Sequence, residues 1–308
     1  MNTKKVEILL ATYNGAQYLR EQLESIVNQD YEEWVVTACD DASTDDTYDI
    51  LKEYQEKYPD KFIVAKNERG FGSAKKNFMN LIKNSTGDYV MCCDQDDVWL
   101  PNKISLTLQK MEESEQDETP VLVHTDLKVV DANLNVLSES FFEHSNFRKE
   151  FGLNEILIQN FVTGCTMMMN RPTVTLMSRV KTHDKILMHD WIASILATSV
   201  GKVTFVDTPT MLYRQHAVNS VGAKKYGFAL FLSKLKEAKM RQSLVDTMVQ
   251  ASTIAELYQD ILDKEKYEFI HQYGTLWKQS KVQRIRFYIK NKVLKKGLPR
   301  KLCQLIVG

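Results

Sequence analysis

No apolar run in this sequence approaches the ~20 residues that a bilayer-spanning helix needs. The opening Met1-Asn2-Thr3-Lys4-Lys5 leads only into Ile8–Ala11, too brief for the apolar core of a signal peptide. Cysteine is sparse. Cys39, Cys92, Cys93, Cys165 and Cys303 are odd in number and lack metal-type spacing, which fits buried, reduced thiols rather than a disulfide or zinc framework. Cys92 and Cys93 are neighbours on an expected strand and should face opposite sides. There is no internal repeat and no low-complexity tract. Nor is there a net charge: 40 basic residues balance 40 acidic ones, so a general nucleic-acid binder is not expected. Acid is missing from one region. The last 28 residues, Lys281 to Gly308, hold nine Lys or Arg and no Asp or Glu, leaving 31 basic against 40 acidic residues elsewhere. An acidic body with a basic tail points to an anionic surface, above all a membrane, as the tail's partner.

What is present fits a folded chain. At 308 residues, 44% apolar and 26% charged, it can form one large domain with an appendage or two modest domains. The first hundred residues alternate strand and helix. Val6 to Ala11, Trp34 to Cys39, Phe62 to Ala65 and Tyr89 to Cys93 read as buried strands. Between them, Leu19, Leu23, Ile26 and Val27, then Ile50, Leu51, Tyr54 and Tyr58, then Phe78, Leu81 and Ile82 recur at helical spacing. Repeated βα units with buried strands predict an α/β fold with a mostly parallel sheet covered by helices. In such sheets ligands bind at the carboxyl ends of the strands. Thr12-Tyr13-Asn14, Asp40-Asp41 and Asp94-Gln95-Asp96-Asp97 each follow a strand directly, so they should converge on one rim.

Residues from about 120 to 220 are mixed. Val121 to Val130, Phe161 to Met169, Val203 to Val206 and Thr210 to Tyr213 read as strands, with a return through Val136 and Leu137 and a helix over Trp191 to Val200. From Phe228 onward the chain reads helical and increasingly basic, and Ile285, Tyr288, Ile289 and Val293 recur near helical spacing. Such a helix could lie on an anionic leaflet; a solvated end or an oligomer contact is the alternative.

The acidic turns carry the chemistry. Alternation along an extended strand end would place Asp94 and Asp96 on one side, where two carboxylates call for a hard divalent cation such as Mg2+ or Mn2+. A capping cluster for the next helix is the alternative. Asp40 and Asp41 could accept from a ribose hydroxyl or a pyrimidine imide, or cap the helix near Thr44. Tyr13 could stack on a base or pack in its turn. Gly72-Ser73-Ala74 opens a helix whose N–H groups could meet a phosphate. No P-loop and no Gly-x-Gly-x-x-Gly appears, so those nucleotide folds are excluded. Asp190, in His189-Asp190-Trp191, could be a general base or an N-cap. His216 could join a metal site or contact a diphosphate. Thr163-Gly164-Cys165 could border a sugar pocket, while Met167, Met168 and Met169 read as core.

These motifs, in this order, resemble the family 2 glycosyltransferases with the GT-A fold. Ala11-Thr12-Tyr13-Asn14-Gly15 looks like the family's first nucleotide-binding turn, and Asp40-Asp41-Ala42-Ser43-Thr44-Asp45 is similar to its Asp-Asp-x-Ser-x-Asp stretch. Asp94-Gln95-Asp96-Asp97-Val98-Trp99 resembles its Asp-x-Asp region in the form of a bacterial rhamnosyltransferase-like branch, as do His189-Asp190-Trp191 and Tyr213-Arg214-Gln215-His216 with Asn219. The resemblance covers about residues 5 to 222. It implies a Rossmann-like, mostly parallel mixed sheet flanked by helices, with a catalytic domain over 1–222 (a nucleotide-binding half over 1–100 and an acceptor half over 101–222) and a helical, basic region over 223–308.

By the same resemblance Ala11, Thr12, Tyr13, Asp41, Gly72, Asn77, Asp94 and Gln95 hold the nucleotide sugar. Asp94, Asp96 and His216 hold Mg2+ or Mn2+, and Asp190 is the catalytic base. Thr163, Gly164, Trp191 and Arg214 line the acceptor and sugar pocket. Lysines in the Gly70–Asn77 stretch depart from the Ala-Arg-Asn of many relatives, and the Gln-x-x-Arg-Trp motif of processive synthases is absent. The implied activity is inverting, metal-dependent transfer of one or a few sugars. The donor implied is dTDP-L-rhamnose, and the acceptor a hydroxyl of a lipid-linked or oligosaccharide glycan in bacterial cell-surface polysaccharide synthesis. The implied location is cytoplasmic, peripheral on the inner face of the plasma membrane, with a homodimer possible. A UDP-hexose donor and a non-catalytic, membrane-docked glycan-binding scaffold are the rival readings. A nucleotidyltransferase would need a Gly-rich loop with Arg and Lys near the first strand, and none is present.

Overall fold

The computed structural model describes residues 4–181, 183–216 and 234–308. Asn219, Gly222 and the expected boundary at 222/223 lie outside these residues.

The chain begins β1 (Val6–Thr12), α1 (Ala16–Val27), β2 (Trp34–Asp40), α2 (Thr47–Lys57), β3 (Phe62–Lys66), α3 (Ala74–Asn84) and β4 (Tyr89–Cys93). It continues through β5 (Val98–Trp99), α4 (Lys103–Ser114), β6 (Val121–Val130), β7 (Val136–Ser138), α5 (Phe141–Ser145), α6 (Leu153–Ile156), β8 (Met167–Asn170), α7 (Arg171–Met177), α8 (His189–Val200) and β9 (Lys202–Arg214). Four helices follow: α9 (Lys234–Leu257), α10 (Lys264–Thr275), α11 (Lys281–Lys290) and α12 (Leu298–Val307). Among the described residues no helix is long and apolar enough to cross a membrane.

The strands form one mixed sheet in the order β3-β2-β1-β4-β8-β6-β9-β5, with β7 beside β6. The first four are parallel, as the βα repeat predicts, and β8 enters antiparallel between β4 and β6. Alternation sorts the side chains into two layers. Val6, Ile8 and Leu10 of β1 pack with α1, α2 and α4, whereas Leu9 packs with α3 and the helices beyond it. Cys92 and Cys93 are both buried, one in each layer, as expected of strand neighbours. β1 and β2 align Thr12 with Asp40, and β1 and β4 align Leu10 with Cys93, so three polar turns leave the sheet at one level.

Three expectations change. The strand expected over Phe161 to Met169 is only Met167–Asn170. Gly164–Thr166 is a short 3-10 turn, because the Gly164 N–H is taken by Asp190 and both the N–H and the hydroxyl of Thr166 turn back to Thr163. The two strands expected after residue 202 are one, β9, whose pairing with β6 shifts register near Pro209, where no N–H is available. Tyr288 and Val293, expected on one amphipathic face, are fully buried: α11 ends at Lys290, so Val293 lies beyond it, in the link whose carbonyl receives Gln304 of α12, and both pack in the layer of α9 and α10.

Candidate active site

The first two turns are knitted together. Asp40 is buried and accepts from Thr12 Oγ1 at 3.1 Å and from the Ser43 N–H at 3.0 Å. Asn14 sits at φ +46° and exchanges bonds with Ser43 and Thr44, while Asp45 accepts from the first N–H of α1. Asp45 also accepts from the N–H of Thr47, the first of α2, so capping in this loop falls to Asp45, not to Asp40 or Asp41. Asp41 accepts from the N–H groups of Phe71 and Gly72 and from Asn67 Nδ2. These three donors leave it about one of its roughly four acceptor directions. The Gly72 N–H, expected to meet a phosphate, is thus committed to Asp41. Asn77 is buried and donates to the Cys39 carbonyl at 2.8 Å, fastening α3 to the end of β2.

Tyr13 and Gln95 join the first turn to the acidic one. The Tyr13 N–H donates to Gln95 Oε1 at 2.8 Å, and Gln95 Nε2 donates back to the Tyr13 carbonyl at 2.9 Å. A Cβ at Gly15 would fall 2.2 Å from the Gln95 amide group, so a side chain there would displace Gln95 from its bonds to Tyr13. The Tyr13 ring itself is 58% exposed, standing free at the rim beside Ala11, which is half-buried.

Asp94 to Asp97 form a turn, not the extended strand end expected. A turn breaks the two-residue alternation, so the carboxylates sort differently. Oxygens of Asp94 and Asp97 and the Cys165 sulfur all lie within 4.8 Å of one another. Asp96 instead meets His216, its Oδ2 lying 2.7 Å from Nε2. Burial, then the charges of Asp96 and Asp190, push the Asp94 carboxyl up to about 7. Burial and the charges of Asp96 and Asp94 also raise Asp97, whose Oδ2 is buried without a hydrogen-bond partner among the described residues. Burial holds the Cys165 thiol well above its ordinary value, so it stays neutral and is a poor ligand for a hard cation. The expected metal set of Asp94, Asp96 and His216 is thus split between two groups among the described residues, although the charge of Asp96 reaches Asp94 and a shared cation would relieve that repulsion.

Arg214 shapes this turn. It is 1% exposed; its N–H donates to Asp97 Oδ1 at 3.1 Å and its Nε to the Asp96 carbonyl at 2.8 Å. Nη1 donates to the Ala132 carbonyl, Nη2 pairs with Glu21, and the guanidinium lies 4.4 Å from the Tyr18 ring. Arg214 was expected to line the sugar pocket; its contacts are those of a brace beneath the acidic turn. Behind the turn, Lys103 is also buried, with Nζ donating to Thr210 Oγ1 at 3.2 Å over the Trp99 ring, and burial lowers its pKa to about 8.

Asp190 stands in the first turn of α8, whose N-cap is Met188, so it is not the N-cap. Its Oδ2 accepts the Gly164 N–H at 3.1 Å, and its Oδ1 is buried with no hydrogen-bond partner among the described residues. Burial pushes its pKa up to about 7, against smaller lowering by backbone N–H groups. The His189 ring stacks on Phe78 at 4.3 Å and closes over Gly164, where a Cβ would lie 2.6 Å from Nε2. Thr163 precedes that glycine, and Trp191 Nε1 donates to the Ile156 carbonyl at 2.6 Å. Asp190 is near enough to Asp94 for its charge to help raise the Asp94 carboxyl. Sequence reading missed Glu21 and Tyr18; their three-residue spacing on α1, just past the first turn, was the available signal.

Comparison with known proteins bears on the family and the fold. The model described as glycosyl transferase family 2 matches residues 7–175. The dTDP-rhamnosyl transferase RfbG of Shigella flexneri is 30% identical over 227 residues, 70% of this chain and 74% of that protein. The crystal structure of S. aureus TarS 1-349 in complex with UDP superposes with a TM-score of 0.58 at 17% identity, over 89% of this chain and 91% of that one. The mannosyltransferase PcManGT from Pyrobaculum calidifontis, in complex with GDP-Man and Mn2+, gives 0.52 at 15% identity, over 99% of this chain and 80% of that one.

Proposed function

The chain belongs to glycosyltransferase family 2, and from that premise we propose that it moves L-rhamnose from dTDP-L-rhamnose to a hydroxyl of a lipid-linked or oligosaccharide acceptor, with inversion. The carrying observation is Asp190: a buried carboxylate with one oxygen fixed by Gly164, the other unengaged, and a pKa near neutrality. A general base works best at such a value. The name of RfbG supports the choice of donor.

In this reading the nucleotide lies across the first two turns, beside Thr12, Tyr13 and Asp41. Tyr13 offers an exposed ring for the base, and Gln95 ties that ring's backbone to the acidic turn. Asp94, Asp96 and His216 would hold Mg2+ or Mn2+, which when bound offsets charge on the departing diphosphate. Asp190 takes the proton from the acceptor hydroxyl as its oxygen forms the new bond to the anomeric carbon and the bond to the diphosphate breaks on the opposite face. Gly164 keeps the base oriented through this step. The division we propose places catalysis in 1–222 and an appendage in 223–308. The two share a core, since Tyr258 donates to the Leu176 carbonyl and Ala251 and Ile254 pack in the same layer as α8.

A UDP-hexose donor is the second reading, favoured by the likeness to the UDP complex of TarS. Thermal-shift titration with dTDP-L-rhamnose, UDP-glucose, UDP-GlcNAc and GDP-mannose, with and without Mn2+, separates the two. A donor at a hundredfold excess over its Kd stabilises by about 2.7 kcal/mol, a rise of several degrees. Stabilisation by the UDP sugars alone would replace the rhamnose assignment; inertness to every donor would return the scaffold reading.

A further inference from the structure

Ten large apolar side chains are exposed among the described residues, and six of them, Trp277, Val282, Ile289, Leu298, Leu302 and Ile306, fall within thirty positions of the C-terminal helices. Val282 and Ile289 are two turns apart on one side of α11, while Tyr288, about 100° round the helix from Ile289, is buried. Leu298, Leu302 and Ile306 recur every four residues along α12. The α12 helix doubles back on α11: Lys281 donates to the Ile306 carbonyl, Arg284 to the Gly308 carbonyl, and Gln304 to the Val293 carbonyl. Two apolar stripes therefore lie on adjoining antiparallel helices. The same two helices and their link carry exposed Lys281, Arg286, Lys290, Lys292 and Lys301, with no acid anywhere in 281–308.

We propose that the α11–α12 pair is a docking face for an anionic lipid bilayer, entered by the leucine and isoleucine stripes and held by the surrounding lysines and arginines. A protein partner or a second copy would also accept apolar contact, but an unbroken run of one charge sign selects a surface of the opposite sign. The face is tied to the catalytic half. Asn154 donates to the Lys292 carbonyl and the Lys296 N–H donates to Gln159, so the α11–α12 link is fastened to α6 and the residues after it. The Ile156 carbonyl of α6 receives Trp191, the neighbour of Asp190. Docking here brings the base-bearing side of the molecule close to the headgroups, which rests on the reading above that the acceptor is lipid-linked.

The test is flotation of the full chain with vesicles of phosphatidylcholine plus phosphatidylglycerol against phosphatidylcholine alone. Binding is expected only to the anionic vesicles and should weaken as salt rises. The Leu298→Asp/Leu302→Asp double variant should bind at least about tenfold less well, as should Lys290→Glu/Lys301→Glu. Thermal midpoint and donor-induced stabilisation should be unchanged in both, which separates loss of docking from loss of fold. Equal flotation of wild type and double variants, or no flotation of either, overturns the proposal. So does a dimer in sizing experiments that the Leu298→Asp/Leu302→Asp change dissolves. Donor binding is read on the same samples, so failure of the glycosyltransferase assignment appears there and leaves the flotation result standing by itself.

Discussion

Replacing Asp190 with asparagine should slow the enzyme and stabilise it at once. The carboxylate is 8% exposed and one oxygen has no partner among the described residues, so holding its charge costs the folded state energy that water would supply in the unfolded chain. An unfolded aspartate titrates near 3.9, whereas Asp190 in the fold titrates at about 7. The difference corresponds to on the order of 4 kcal/mol as an upper figure. The sign follows from proton counts. Between pH 4 and 7 the folded protein holds the Asp190 proton and the unfolded chain does not, so stability falls as pH rises through that window and stays low above it. The amide introduced by Asp190→Asn carries no charge and should recover much of that loss at pH 8 and almost none of it at pH 4. Turnover should fall by ~10²–10⁴ because the proton acceptor is gone, while donor-induced stabilisation persists. Urea unfolding of both proteins at the two pH values, in EDTA, together with initial rates at saturating donor, measures both sides. An Asp190→Asn protein that turns over normally, or that gains no more at pH 8 than at pH 4, refutes the reasoning.

Arg214→Met should cost about 3 kcal/mol or more, because it strands the Asp96 and Ala132 carbonyls of a buried network and unpairs Glu21, while the backbone N–H keeps its bond to Asp97; thermal unfolding and donor titration should both register it. Gly164→Ala should leave donor affinity near its starting value and lower kcat by about tenfold to a hundredfold, since the added methyl pushes His189 and turns Asp190 from its fixed orientation. Normal kcat with a weakened donor would instead place Gly164 at the donor. Asp96→Asn should raise the Mn2+ concentration needed for half-maximal rate by at least about tenfold, and an unaltered rate in EDTA would remove the cation from the mechanism.

The parallel half of the sheet was readable because each of its strands is a short apolar block followed at once by polar turn residues, and those turns do meet at one level. The site was less readable where one hydrogen bond redirects a side chain. Asp94 and Asp96 were paired by strand alternation, but the chain turns at Gln95, and Asp97 takes the place beside Asp94 while Asp96 goes to His216. Arg214 looked like a rim residue because it follows a strand; nothing linear shows that Glu21, Tyr18 and two carbonyls wait for it. Tyr288 and Val293 kept helical spacing, but spacing cannot tell which side of α11 meets α12. Gly164 was read as the border of a sugar pocket; that the His189 ring crowds it could not be seen, since His189 lies twenty-five positions further on.

The brace under the acidic turn joins Glu21 to Arg214 across 193 positions, and β5, which leaves that turn, pairs among the described residues with β9. During synthesis the donor-side strands emerge long before the residue that tightens their third turn. Until the ribosome has released Arg214, Asp94 to Asp97 have the Gln95 bonds to Tyr13 but lack the brace beneath them, and a nascent chain can assemble its parallel sheet without acquiring a working centre. The order of translation thus delays catalytic competence until the acceptor side has been made.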